Sequence, residues 1–222
     1  MAPADRFGLV GRNHYAHARN PPYWRAVDGA VDALYVRESV GLRLQAVDAR
    51  LRAVGLRLHL FDAWRPRAVQ AYFHDVWMPA ELRARWPDWS EEAIRAEAGR
   101  YWAAPTVDPA SPAPHSTGGA VDLTIAWADD GAALFMGGLF DDPTPLSHLD
   151  RLERAYDDAG SYSMEEARAN RRLLYWLMIE GGFACYADEW WHYSYGDQMW
   201  AKQTGAPAAL YGAVDAIADR AP

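Results

Sequence analysis

The chain has 222 residues, half of them hydrophobic, with 11 Trp, 12 Tyr and 6 Phe; that is enough apolar material for one domain with a sizeable core spanning residues 1–222. The net charge of −8 argues against a nucleic-acid partner, which needs a basic surface. No window reaches the roughly 18–20 uninterrupted apolar residues of a membrane span, and a single cysteine, Cys185, excludes an internal disulfide.

Residues 1–30, rich in Pro, Asn, His and Arg, read as an irregular N-terminal segment. The opening MAPADRFGLVGRNHYAHARN lacks the apolar stretch of a secretory signal, so a cytoplasmic bacterial protein is expected. Over 37–54, Val40, Leu44, Val47, Leu51 and Val54 recur at helical spacing and Gly55 stops the helix. LRLHLFDAW, 56–64, alternates like a strand, and Pro66 suits the first turn of a helix through PRAVQAYFHDVW. More helix follows over 79–103, with Asp88 and Glu91 in capping-box spacing. A loop over 105–119 leads through Gly118 and Gly119 into the strand AVDLTIAW, where Val121, Leu123 and Ile125 share one face and Asp122 lies on the other. After a second loop, 136–150, Ser163 and Glu166 are spaced as a capping box for a helix that Gly181 and Gly182 end. FACYADEWWHYSY supplies one or two short strands, and Cys185 within it reads as a small buried hydrophobe. Helices and strands mix without regular alternation. The fold class is therefore α+β: helices packed on a mainly antiparallel central sheet.

Three segments carry polar groups that this pattern does not need: FDAWRP with Arg65, HSTGGAVD with His115 and Asp122, and EWWH with Glu189 and His192. A carboxylate on an apolar strand wants a charge partner. His115, Asp122 and His192 make a three-ligand set that leaves the fourth tetrahedral position of a zinc ion open, as a catalytic site requires. Glu189 is then placed to accept a proton from the water. In a regular strand positions 189 and 192 face opposite sides, so Glu189 must lie on the turn entering the strand, or the strand is bulged. By spacing alone other readings stand: a solvated loop histidine with a salt-bridged aspartate, a Glu189–His192 ion pair, and a surface or helix-capping arginine. Trp190 and Trp191 read first as core, and His14, His17, His59, His74 and His148 as ordinary surface or partly buried groups.

In this order, FDAWRP, HSTGGAVDLT and EWWHY resemble the zinc-dependent D-alanyl-D-alanine dipeptidases, a group within the D,D- and L,D-peptidases. MGGLFDD and NRRLLYWLMIEGGF resemble family segments between the second and third motifs, and the likeness covers roughly residues 31–200. The resemblance implies one zinc per chain on His115, Asp122 and His192, with Glu189 as general base. It further implies that Arg65 steadies the oxyanion and that Asp141 holds the substrate's free amino end. The implied partner is a small D,D-dipeptide, walled by Trp190, Trp191 and Trp64. The family pattern has a serine two residues before the first histidine ligand; here Ala113 stands there, followed by Pro114, so a substrate-binding hydroxyl is lost and strict preference for D-Ala-D-Ala is not implied, with Ser111 and Ser116 the nearby hydroxyls able to compensate. Two other activities fit the same motifs. One is a D,D-carboxypeptidase or L,D-peptidase acting on longer cell-wall peptides; the other is a zinc module that binds wall fragments without catalysis. Oligomeric state is not legible.

Overall fold

The computed structural model describes residues 1–154 and 161–217. Its elements in chain order are β1 (Ala2–Pro3), β2 (Val10–Gly11), β3 (Tyr35–Val36), α1 (Glu38–Arg52), β4 (Leu56–Asp62), α2 (Arg67–Ala71), α3 (Met78–Arg85), α4 (Glu91–Tyr101), β5 (Ala120–Trp127), α5 (Arg151–Arg154), α6 (Tyr162–Glu180), β6 (Ala184–Cys185), β7 (His192–Ser194) and α7 (Gln198–Thr204). β1 and β3 form a small antiparallel ribbon. The main sheet runs β2-β4-β5-β7-β6, with only the β2–β4 pair parallel. The expected mixed fold on a mainly antiparallel sheet is what forms.

The alternation of β4 buries Leu56, Leu58 and Leu60 on the side that α1 covers with Val40, Leu44, Val47 and Leu51. β5 is buried along both faces up to Ala126, so Asp122 and Thr124 are enclosed with the aliphatic residues. The register pairs Leu58 with Ile125 and Leu60 with Leu123, then shifts between Leu60 and Asp62, so that Asp62 stands opposite Asp122. Such a bulge re-aims a strand's side chains at its end. Cys185 is buried, and burial pushes its thiol up to about 12, as a packing residue requires.

Several expectations are corrected. The first 30 residues carry β1, β2 and two 3-10 turns (Ala4–Phe7 and His14–Ala16). These pair with distant chain, which no local periodicity reports. The residue that caps α4 is Ser90, whose hydroxyl accepts from Ala93 N–H, so the Asp88–Glu91 box does not form. α6 starts after Ser161, which makes no side-chain cap, so the Ser163–Glu166 box does not form either. The helix after Pro66 continues through a π-helical stretch, Tyr72–Trp77, into α3. The wider turn accommodates Pro79, which lacks an N–H to donate. Among the described residues no helix is long and apolar enough to cross a membrane.

Candidate active site

β5 and β7 are antiparallel neighbours, and Asp122 is the register partner of His192. Two side chains of the expected ligand set therefore meet because their strands pair. His115 arrives differently, from a 3-10 turn (Pro114–Thr117) that Gly118 ends at φ +70. Gly119 then passes so close to β7 that a Cβ would lie 2.8 Å from the Tyr195 carbonyl oxygen. The two glycines let the turn fold back onto the strand it leads into. Glu189 sits on the turn between β6 and β7, where His192 N–H donates to the Glu189 carbonyl. That location removes the parity conflict between positions 189 and 192.

One ligand atom from each of His115, Asp122 and His192 lies within 4.8 Å of the others, and all three residues are buried. His115 Nε2 is 3.1 Å from His192 Nδ1 and 3.3 Å from Asp122 Oδ2; His192 Nδ1 is 3.0 Å from Asp122 Oδ1. Tetrahedral zinc with bonds of about 2.0–2.2 Å holds its ligand atoms roughly 3.3–3.6 Å apart, close to these separations. The outer partners fix the tautomers. His115 Nδ1 donates to the Ala63 carbonyl at 2.7 Å, which leaves Nε2 a bare lone pair. His192 Nε2 faces Ser194 Oγ at 3.5 Å, and that hydroxyl gives its own proton to Asp197 at 2.6 Å; Nδ1 is then bare too. Two lone pairs and a carboxylate converging on one point suit a cation, and both histidines carry the second partner expected of metal ligands.

The electrostatics agree. Burial works to raise the Asp122 carboxyl, but where His115 and His192 carry protons they outweigh it and hold it well below the usual carboxylate range, and Asp122 raises His115 in turn against the cost of burial; the cluster demands positive charge, which either those protons or a cation between the bare nitrogens supplies. Burial, with Asp122 and Asp141 nearby, pushes Glu189 well above its ordinary value. Glu189 Oε2 stands 3.7 Å from His192 Nδ1, within reach of a water held between them.

Arg65 is 5% exposed and spans the floor. Nε donates to Asp62 at 2.9 Å, Nη1 to Gln70 at 2.8 Å, and Nη2 to the Tyr15 hydroxyl at 3.1 Å; Nη2 also faces Asp122 at 3.4 Å. It is thus the counter-ion of the Asp62–Asp122 pair across β4 and β5, where two like charges would otherwise oppose each other. Asp141, at φ +58, accepts from the hydroxyls of Tyr15 at 2.8 Å and Tyr23 at 2.9 Å. Burial and Asp122 push its carboxyl up to about 7.

Arg65, His115, Asp122, Asp141, Glu189 and His192 line one cleft of about 230 Å³, with Gln70, Trp102, Pro114, Tyr186 and Gln198 among its other walls. That is below the ~300–1,000 Å³ usual for drug-sized ligands. Not every expected wall is present. Trp64 is buried elsewhere, its indole N–H donating to the Val214 carbonyl. Trp191 is 1% exposed and packs edge-on against Phe140, supporting the wall near Asp141 and Glu189. Ser116 is not among the cleft's lining residues, because its hydroxyl donates to the Ala113 carbonyl within its own turn. Ser111 is exposed. Neither serine replaces the hydroxyl missing at Ala113. Sequence reasoning missed Tyr15, Tyr23, Asp62, Gln70 and Trp102. Of these only Asp62 left a signal, a carboxylate ending a strand three residues before Arg65.

Comparisons with known proteins point to one family. The model of the D-ala-D-ala dipeptidase family, peptidase family M15, matches residues 8–207. A D-alanyl-D-alanine dipeptidase of Synechocystis is 36% identical over 154 residues, covering 65% of this chain and 61% of that protein. One of Enterococcus faecalis is 30% identical over 184 residues, covering 78% of this chain and 80% of that protein. A solved vancomycin-resistance D,D-pentapeptidase, VanY, in complex with Zn(II), covers 92% of this chain and 97% of its own at 18% identity and a TM-score of 0.46. With a family model matched along nearly its whole length and the motif residues gathered in one cleft, the chain belongs to the D-Ala-D-Ala dipeptidase family of peptidases.

Proposed function

We propose that the chain hydrolyses D-alanyl-D-alanine or a closely similar D,D-dipeptide. The observation that carries this reading is the charge inventory of the cleft floor. Four carboxylates, from Asp62, Asp122, Asp141 and Glu189, surround a single guanidinium, Arg65. Burial first, and the crowding of like charges next, push Glu189, Asp141 and Asp62 upward, so the chain alone does not favour keeping all four ionised. A divalent cation and a substrate ammonium supply the missing positive charge, and a dipeptide brings such an ammonium close to its scissile bond.

His115, Asp122 and His192 would hold the zinc, which would polarise the scissile carbonyl and acidify the attacking water. Glu189 takes a proton from the attacking water and returns it to the leaving amine as the C–N bond breaks. Arg65 is held by Asp62, Gln70 and Tyr15, and its Nη1 keeps a second N–H beyond the one given to Gln70. Such a fixed donor suits the oxygen that gains negative charge. Asp141, clamped by two tyrosines, accepts the substrate's amino group and so selects a free amino end.

The test is a hydrolysis screen of L,L-, L,D- and D,D-alanine dipeptides, and a pentapeptide ending in D-Ala-D-Ala, with zinc added. The expected result is turnover confined to free D,D-dipeptides. Faster cleavage of the pentapeptide would move the chain to the carboxypeptidase branch. A zinc-loaded protein inert to every substrate would make it a binding module.

A further inference from the structure

Arg171, on α6, is only 3% exposed. Nε donates to the Met136 carbonyl at 2.7 Å, Nη2 to Leu146 at 2.9 Å, and Nη1 to His148 at 3.0 Å. Among the described residues no carboxylate meets it at ion-pair distance. Burial lowers it to about 10, so it stays cationic at neutral pH. A buried charge without a counter-ion is costly, and an apolar side chain would fill the space more cheaply. What an apolar side chain cannot do is make three in-plane hydrogen bonds from a rigid fork.

Those bonds go to both ends of one loop, from Met136 at its start to Leu146 and His148 at its close, and Asp141 lies between them. The guanidinium therefore draws the ends together, as in a compact loop tied at its neck. Its face lies 5.3 Å over the ring of Trp190, and Trp190 N–H donates to the loop's Ser147 carbonyl at 2.9 Å. The loop packs tightly at its start: a Cβ on Gly138 would come within 3.2 Å of Leu146 and 3.8 Å of Arg171 Nη2. Asp141 needs such support, because a non-glycine residue at φ +58 persists only where its surroundings over-determine it. Tyr15 and Tyr23 hold its carboxylate, but nothing in those two contacts fixes its backbone.

The geometry points to Arg171 as a positioning residue for recognition of the substrate's free amino group, acting through the loop that presents Asp141. This rests on the reading of Asp141 given above, and the experiment separates the two. D-Ala-D-Ala is compared with N-propionyl-D-alanine, which lacks only the amino group. The ratio of their kcat/KM values is measured for the wild-type holoenzyme and for Asp141→Asn, Arg171→Met and Arg171→Lys, with zinc content measured in each preparation. Arg171→Lys keeps the charge and most of the packed stem, so it serves if the methionine variant folds poorly. Asp141→Asn should lower the ratio at least tenfold. Both Arg171 variants should lower it by about tenfold, the scale of one misplaced charge-assisted hydrogen bond, with zinc retained. A merely structural arginine would lower both substrates equally and leave the ratio unchanged. An unchanged ratio in the Arg171 variants, alongside a collapsed ratio in Asp141→Asn, overturns the proposal alone. An unchanged ratio in Asp141→Asn overturns the amino-group reading and the proposal with it.

Discussion

The hydroxyl of Tyr15 stands between Arg65 and Asp141: it accepts from Arg65 Nη2 at 3.1 Å and donates to Asp141 Oδ2 at 2.8 Å. One phenol thus couples the arginine assigned to the developing oxyanion with the carboxylate assigned to the amino end. Tyr15→Phe should lower kcat/KM for D-Ala-D-Ala by ~10–100-fold, the equivalent of about 1.5–3 kcal/mol for a hydrogen bond to a charged group. Zinc content should not change, since the phenol touches no ligand. Steady-state kinetics with metal analysis check this; loss of zinc would show that Tyr15 supports the metal site instead.

Glu189→Gln keeps the shape of the β6–β7 turn but removes the proposed proton acceptor. Turnover should fall by ~10²–10⁴-fold, the range of general acid–base catalysis, while bound zinc and thermal stability stay near wild type. Turnover within a few-fold of wild type would take Glu189 out of the mechanism.

His192→Ala removes a proposed ligand whose Nδ1 faces both other proposed ligands. The variant should purify with little zinc and little activity. In the wild type, chelation should lower the melting temperature and added zinc restore it, because a ligand that binds only the native state stabilises it. Metal-saturated His192→Ala would refute the ligand assignment.

His14 offers a pH test on a group outside the proposed ligand set. Burial, only partly offset by the bond to the Pro21 carbonyl, lowers its imidazole to about 4. The unfolded chain binds that proton near pH 6.5 and the folded chain near 4. Stability from this site is therefore present above about pH 6.5 and lost as pH falls toward 4. Asp141, pushed up to about 7, works in the opposite direction over much of the same window, so the comparison must be between variants. His14→Gln should lose less stability than wild type between pH 6.5 and 4 in thermal melts. Parallel curves would show that His14 is not held neutral.

Much of this site is legible in the chain because its ligands stand where local pattern makes them anomalous. Asp122 interrupts the polar face of a strand that is otherwise small or apolar, and the parity of Glu189 and His192 forces a turn that the structure contains. The N-terminal contribution is not legible: NHYAHARNPPYW has no periodicity, and Tyr15 and Tyr23 gain meaning only by packing against Phe73 and Asp141. The misread helix starts have a different cause. Serines two residues away from the expected caps begin α4 and α6, and short capping patterns recur too often in polar stretches to fix a boundary. Ser116 shows the same limit, since a hydroxyl beside a ligand is spent closing its own turn.

The pairing of Asp122 with His192 across β5 and β7 ties metal affinity to strand alignment. Sliding one strand by a single residue would turn its own side chain to the opposite face and split the pair, leaving two of the three candidate ligands in place. The half-assembled chain therefore offers the ion no foothold of comparable strength, and zinc capture must wait until these two strands have zipped in the correct alignment.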